Sequence, residues 1–224
     1  MIPLPEKLES ERAYDMLVDL LLNGTISENQ PLSERALSSA LGFGRTPIRE
    51  AVRDLIREGV LESHPTRGTT IRPLTVHDLQ DLYEIRFAIE GLAASLAAER
   101  GPVQELEPFA EAFEQILAND TDDTHVAQTH DHGVLFHKEV MRLSGNQRLI
   151  EMYHPFRLRF RIPFGIVRRR TPERVRVAVL EHQQILQAIM RRDAEQARTL
   201  MCQHLRKGLD FRMEMLMNRS RYNI

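Results

Sequence analysis

Three histidines carry the most chemistry in this sequence. His137 continues a stripe with Val134, Met141 and Ser144. His182 continues Val175, Ala178, Ile185 and Ile189, and His204 continues Ala197, Met201, Gly208 and Phe211. Each stripe has helical spacing, so each imidazole lies on the apolar side of its own helix. Three inward imidazoles on three helices can converge on one divalent metal ion, of the Zn, Ni or Mn type. The same pattern also fits three core histidines held by hydrogen bonds, and the residues alone leave both readings open. Arg86 sits mid-helix among Leu82, Ile85 and Ile89 and is a candidate clamp for a carboxylate. A helix-surface pair with Glu90, four residues on, is its alternative.

A second set of residues suits nucleic acid. Arg45, Arg49 and Arg53 recur every fourth residue and share one side of a helix, while Ile48, Val52 and Leu55 share the other. Guanidinium groups bind guanine edges bidentately and also bind phosphate. Glu50, Asp54 and Glu58 are interleaved with them, so a solvated amphipathic face is equally consistent. Residues 1–74 hold nine Lys/Arg against eleven Asp/Glu, which gives no general attraction for DNA.

The elements that must position these groups fall into two regions. Residues 8–22 read as a helix ended by Asn23-Gly24. A second helix runs from the N-cap Ser33 to Leu41, and Gly42-Phe43-Gly44 makes a tight turn. A third begins at Thr46-Pro47, with Thr46 as N-cap and Pro47 at the first helical position, and ends near Gly59. The β-prone stretches 60–63 and 69–72 flank a turn at 64–68 and read as a two-stranded wing. Helix, turn and recognition helix in this order make a helix-turn-helix. The spacing predicts a winged helix-turn-helix over 1–74 and an all-helical bundle over 75–224, so the fold class is mainly α. The expected spans of the bundle are 76–99, 103–118, 123–143, 147–169, 172–191 and 193–217. Pro155 and Pro163 should bend or split the fourth.

Composition narrows the class. Hydrophobic residues are 42% of 224, enough for a buried core, and the net charge is only −2, so any basic surface is local. Arg157, Arg159, Arg161, Arg168, Arg169 and Arg170 form one such run, read chiefly as a solvated face. The single cysteine, Cys202, excludes an internal disulfide and reads as core packing rather than a catalytic thiol. No targeting segment or membrane-length apolar run is visible, so a cytoplasmic protein is expected.

The stretch Leu32-Ser33-Glu34-Arg35-Ala36-Leu37, then Leu41-Gly42-Phe43-Gly44-Arg45-Thr46-Pro47-Ile48-Arg49-Glu50-Ala51-Val52, then Leu55, Gly59-Val60-Leu61 and Arg67-Gly68 resembles the GntR family of bacterial regulators. The resemblance implies that Arg35, Arg45, Thr46 and Arg49 contact double-stranded operator DNA, with Arg53 beside them. It also implies that the wing tip, around His64 and Gly68, enters the minor groove. Gly44 replaces the serine usual before that arginine.

Residues 75–224 resemble the FCD effector domain of the FadR subfamily, in its shorter, VanR-like, six-helix form. The pieces that match are Leu82-Tyr83-Glu84-Ile85-Arg86 with Glu90, Phe136-His137 with Ser144-Gly145-Asn146, Glu181 to Leu186, and Met201 to Leu205. The resemblance implies that an Asp one turn before the first histidine joins the three histidines in holding a divalent cation, with a carboxylate effector beside it. Here that position is Gly133. A site of three neutral imidazoles lacks the anionic ligand, and Gly133→Asp is expected to strengthen it.

The expected function is a DNA-binding transcription regulator, a repressor in sense, controlled by a small carboxylate metabolite and acting as a homodimer without a membrane partner. A metal-dependent hydrolase built on the three histidines is the alternative. Glu181 and Glu139, the nearest general bases, read as turned away from the histidine stripes. An adaptor that has lost its DNA contacts is a third reading, opposed by the retained arginines.

Overall fold

A computed structural model describes residues 8–27, 30–118, 123–165 and 172–222; side chains at 123–131, 154, 155, 160, 163–165 and 218–222 lie outside the description. The chain forms two compact units. Unit 1 comprises Met1–Leu74 with Pro155–Arg168, and unit 2 comprises Thr75–His154 with Arg169–Ile224.

Unit 1 is built on three helices, α1 (Glu9–Leu22), α2 (Glu34–Leu41) and α3 (Arg45–Arg57), and a hairpin of β1 (Leu61–His64) and β2 (Gly68–Ile71). The Ser33 hydroxyl accepts from the Ala36 amide at 3.3 Å and caps α2, as its position predicts. Gly42 ends that helix at φ +73°, a left-handed conformation in which a side chain would be strained. The third helix starts earlier than Thr46 because Gly44, at φ −61° and ψ 164°, is the N-cap. Pro47 then stands in the first turn, where its missing N–H costs no helical hydrogen bond. The antiparallel hairpin pairs Leu61 with Ile71 and His64 with Gly68, and Leu32 extends it through a bridge to Thr69.

The core of unit 1 gathers Ala13, Leu17, Leu21, Ile48, Leu55, Leu61 and Ile71, all at most 1% exposed, together with Leu158 and Ile162, both at 0%. The last two come from α7 (Gln147–Gly165), which is helical through both Pro155 and Pro163 and is not split. Arg159 on the same segment is no solvated residue. Its guanidinium lies against Gly59, whose φ is +71° and where an added Cβ would stand 3.2 Å from Arg159 Nε. Arg168, Arg169 and Arg170 fall outside the described residues.

Unit 2 holds α4 (Val76–Arg100), a 3-10 turn (Val103–Leu106), α5 (Glu107–Ala118), α6 (Asp123–Leu143), the first part of α7, α8 (Pro172–Met190) and α9 (Ala194–Tyr222). Thr75 and Asp78 form a capping box that starts α4. This helix is buried on several faces, through Leu79, Leu82, Tyr83, Arg86, Ile89, Glu90, Ala93 and Ala97, because α9, α6 and α8 all pack on it. Close approach to α9 needs Gly91, where a Cβ would meet Cys202 Sγ at 2.8 Å. Among the described residues no helix is long and apolar enough to cross a membrane.

Candidate metal centre and DNA-binding surface

The three histidines meet. His137 from α6, His182 from α8 and His204 from α9 bring their Nε2 atoms to 3.1, 3.2 and 3.2 Å of one another. All three are largely withdrawn from solvent, with His137 at 9% and His182 at 5% exposure. Metal–nitrogen bonds of about 2.0–2.1 Å place neighbouring ligands of a tetrahedral or octahedral ion roughly 3.0–3.4 Å apart. The donor set therefore fits one divalent ion held on a face of three imidazoles.

Two carboxylates set the orientation of the rings. Glu90 Oε2 lies 2.6 Å from His137 Nδ1, and Glu181 Oε2 lies 2.7 Å from His204 Nδ1. A carboxylate on the outer nitrogen fixes the tautomer that leaves the Nε2 lone pair facing inward and raises its basicity. Each carboxylate has a guanidinium beside it, hydrogen-bonded at Glu90 and at longer range at Glu181. Arg86 Nε donates to Glu90 Oε1 at 2.6 Å, and Arg174 Nη1 is 3.9 Å from Glu181 Oε2. Two chains of interaction result, Arg86–Glu90–His137 and Arg174–Glu181–His204; the histidines and the Arg86–Glu90 spacing were evident from the sequence, while Glu181 and Arg174 as partners of His204 were not.

The electrostatics follow from burial and pairing. Burial alone would raise the Glu90 carboxyl, but Arg86 and His137 overcome it and hold Glu90 at about 2. Arg86 is only 5% exposed, so its bond to Glu90 is an interior ion pair rather than a pair on the helix surface. Burial, then His137 and Arg86, push the His204 pKa well below 6.5, which keeps its imidazole in the neutral, ligating form.

His182 is positioned by packing. Its ring stacks on Phe113 with centroids 5.8 Å apart and tilts against Phe136 at 5.3 Å. On the α6 side it touches the backbone of Gly133, where a Cβ would come within 2.8 Å of His182 Cε1. The glycine is the notch into which this ring fits. Glu181, expected to face away, bonds the outer edge of His204 rather than the inward nitrogens. Glu139 pairs with Arg142 at the surface and plays no part in the centre.

In unit 1, Arg35, Arg45, Thr46, Arg49 and Arg53 are all exposed, with the arginines and Thr46 of α3 opposite its buried face of Ile48, Val52 and Leu55. Arg49 reaches Glu34 on α2 at 3.3 Å, with 54% and 40% of the two side chains exposed. Such a pair is worth at most about 1 kcal/mol, so it leaves Arg49 available to another anion. In the wing, His64 bonds Glu62 at 2.7 Å beside the turn that Gly68 closes at φ +76°.

A winged helix-turn-helix joined to a helical domain is the architecture of a DNA-binding regulator. Residues 9–71 match the family model described as bacterial regulatory proteins, gntR family, and residues 81–207 match the FCD domain. The chain belongs to the gntR family of bacterial regulators, with an FCD domain as its second part. It is 31% identical over 228 residues to the putative L-lactate dehydrogenase operon regulatory protein of Escherichia coli, covering 92% of this chain and 86% of that protein. It is 26% identical over 201 residues to the HTH-type transcriptional repressor GlaR of the same organism, covering 86% and 90%. The fold is similar to that of E. coli McbR/YncC, with a TM-score of 0.76 and 20% identity, over 95% of this chain and 100% of that one. The matched families and relatives are those of transcription regulators, and the chain is not an enzyme; the hydrolase reading falls away.

Proposed function

We propose that this regulator represses transcription as a homodimer on operator DNA, and that a small organic acid bound beside a divalent ion on His137, His182 and His204 sets its DNA affinity. The 3.1–3.2 Å meeting of three Nε2 atoms from three helices carries this reading, because core histidines have no need to turn their acceptor nitrogens towards one another. The ion would supply a Lewis-acidic anchor for a carboxylate. The chain's own part is to hold three neutral imidazoles in place and to keep water from the ring faces through Phe113 and Phe136. Repression is supported by the name of the relative GlaR. Dimerisation is supported by the small surface of one helix-turn-helix, which reads too few base pairs alone and usually works on two half-sites.

In unit 1 the reading assigns base and phosphate contact to Arg35, Arg45, Thr46, Arg49 and Arg53, and the minor groove to the wing around His64 and Gly68. The proposed division is 1–74 for DNA and 75–224 for effector and assembly. A gel shift on the DNA upstream of the protein's own gene, with metal analysis of the same preparation, tests it. Arg45→Ala and Arg49→Ala should each cost about 1–3 kcal/mol of specific binding while folding is retained. Full operator affinity in both variants would overturn the recognition-helix assignment. His182→Ala that still binds metal would overturn the centre.

A further inference from the structure

The arginines of the helix-turn-helix do not share the same surroundings. Two of the acids interleaved with them are turned elsewhere: Asp54 pairs with Arg57 at 2.8 Å, and Glu58 accepts from Tyr14 Oη at 2.6 Å. Among the described residues no carboxylate pairs with Arg35, Arg45 or Arg53. Arg49 has one, and it comes from another helix. Its Nε donates to Glu34 Oε2 at 3.3 Å, across a separation of 15 residues.

Both partners stand on fixed elements. Glu34 lies in the first turn of α2, directly after the N-cap Ser33, where the partial positive charge of the helix end favours a carboxylate. Leu37, one turn on from Glu34, and Ile48, beside Arg49, belong to one core, and α2 packs on α3. A guanidinium carries five N–H bonds, one on Nε and four on the two Nη nitrogens. Glu34 takes the Nε bond, and among the described residues nothing accepts from Nη1 or Nη2. Those two nitrogens form the end of the fork, an edge that can meet guanine O6 and N7 together. The carboxylate also offsets the attraction of this guanidinium for phosphate, the part of DNA binding that ignores sequence.

We propose that Glu34 is a positioning residue that sets operator specificity, holding Arg49 end-on to a guanine in the major groove and away from the phosphates. The inference rests on the recognition-helix reading above and divides the labour within it. Arg49 reads a base, while Arg35, Arg45 and Arg53 carry no such restraint among the described residues. An exposed pair of this kind adds little to folding. Its effect falls on the choice among sequences.

Duplexes selected by the full chain from a random library, with a scrambled duplex of equal length, supply the probes, and fluorescence anisotropy reads the affinities. Glu34→Ala should lower the ratio of selected to scrambled affinity by about tenfold, the scale of one mismatched base pair. The lost preference should be confined to one G·C pair in each half-site. Affinity for the scrambled duplex should rise, because a negative charge has left the DNA-facing surface. Glu34→Gln should show the same rise but keep most of the G·C preference, since its amide oxygen can still accept from Nε. Adding Glu34→Ala to Arg49→Ala should change base preference no further. A Glu34→Ala variant that loses affinity equally for every duplex overturns the inference. So does one that keeps the parent's preference at every position while Arg49→Ala loses one; the recognition-helix reading then stands. An Arg49→Ala variant with the parent's affinity and base preference overturns both.

Discussion

Gly133 and His182 are in direct contact, backbone against ring, and a Cβ at position 133 would lie 2.8 Å from His182 Cε1. Counting ligands alone, Gly133→Asp adds an anion and should tighten metal binding. The contact reverses that expectation. His182 is held by Phe113 and Phe136 on its other sides, so a side chain at 133 pushes a ring that has little room to yield. Both Gly133→Asp and Gly133→Ala should weaken metal binding by about tenfold or more, the scale on which misoriented ligands cost affinity. Competition with a chromogenic chelator reads this directly. Tighter binding by the Asp variant, with weaker binding by the Ala variant, would show that charge outweighs the clash.

The outer carboxylates should matter almost as much as the ligands. Glu90→Gln and Glu181→Gln keep size but remove the anion that orients His137 and His204, and each should lower metal affinity about 10–100-fold. Glu90→Ala should also destabilise the metal-free fold by about 3–5 kcal/mol, because Arg86 would be left as a buried cation without its carboxylate. Glu181 has the half-exposed Lys207 as neighbour and a more open setting, so its loss should cost the fold less. Denaturant titration beside the chelator assay separates the two effects. An unchanged metal affinity in both Gln variants would reduce the carboxylates to structural partners.

The sequence made the histidines legible because each continues an apolar stripe, and helical periodicity reports which side of a helix faces inward. It does not report which neighbour that side meets. Arg86 and Glu90 share a face, and the i+4 spacing is the same for a surface pair and an interior one. Only the packing of α6, α8 and α9 around α4 decides depth. Glu181 follows directly before His182 and so points elsewhere on α8, where it meets His204 of α9 rather than solvent. The helix starts, the wing and the capping residues Ser33 and Thr75 were readable because they are local. Gly44 as the cap of α3 was not, since Thr46-Pro47 carries the stronger local pattern. Arg174 and Arg212 were missed for a different reason: arginines on helices are common at surfaces, and nothing in spacing brings Arg212 to Tyr83 or Arg174 to Glu181.

Cys202 should behave as an unreactive thiol. Burial raises its pKa above 9.0, with Glu90 acting in the same direction and Arg198 and Arg206 against it. The raised value means less thiolate at any neutral pH, and the thiolate is the nucleophile. Alkylation by iodoacetamide should be slower than that of a free cysteine at about pH 7.5 and should keep accelerating beyond the ordinary thiol range. Rapid modification at neutral pH would contradict the half-buried setting of Cys202 against Gly91 of α4.

The last prediction concerns Leu158, which lies far along the chain yet at 0% exposure in the same core as Leu17, Ile48 and Leu55. Sequence patterning placed residues 155–165 with the helical domain, because nothing local links them to the first 74 residues. In unit 1 they close the core of the helix-turn-helix, with Ile162 one turn beyond Leu158 and Arg159 against Gly59. Removing a buried leucine costs about 2–5 kcal/mol through lost transfer energy and the cavity left behind. Leu158→Ala should therefore lower the stability of the DNA-binding unit by that amount and weaken operator binding, although Leu158 belongs to neither the recognition helix nor the wing. Leu158→Asp should do more, since it buries an unpaired carboxylate. Metal binding by the histidine centre, built wholly from unit 2, should survive both changes. Hydrogen exchange resolved by peptide would show the loss of protection in α1 and α3. Protection there equal to the parent's in both variants would mean that this segment of α7 is not part of the core on which the recognition helix rests.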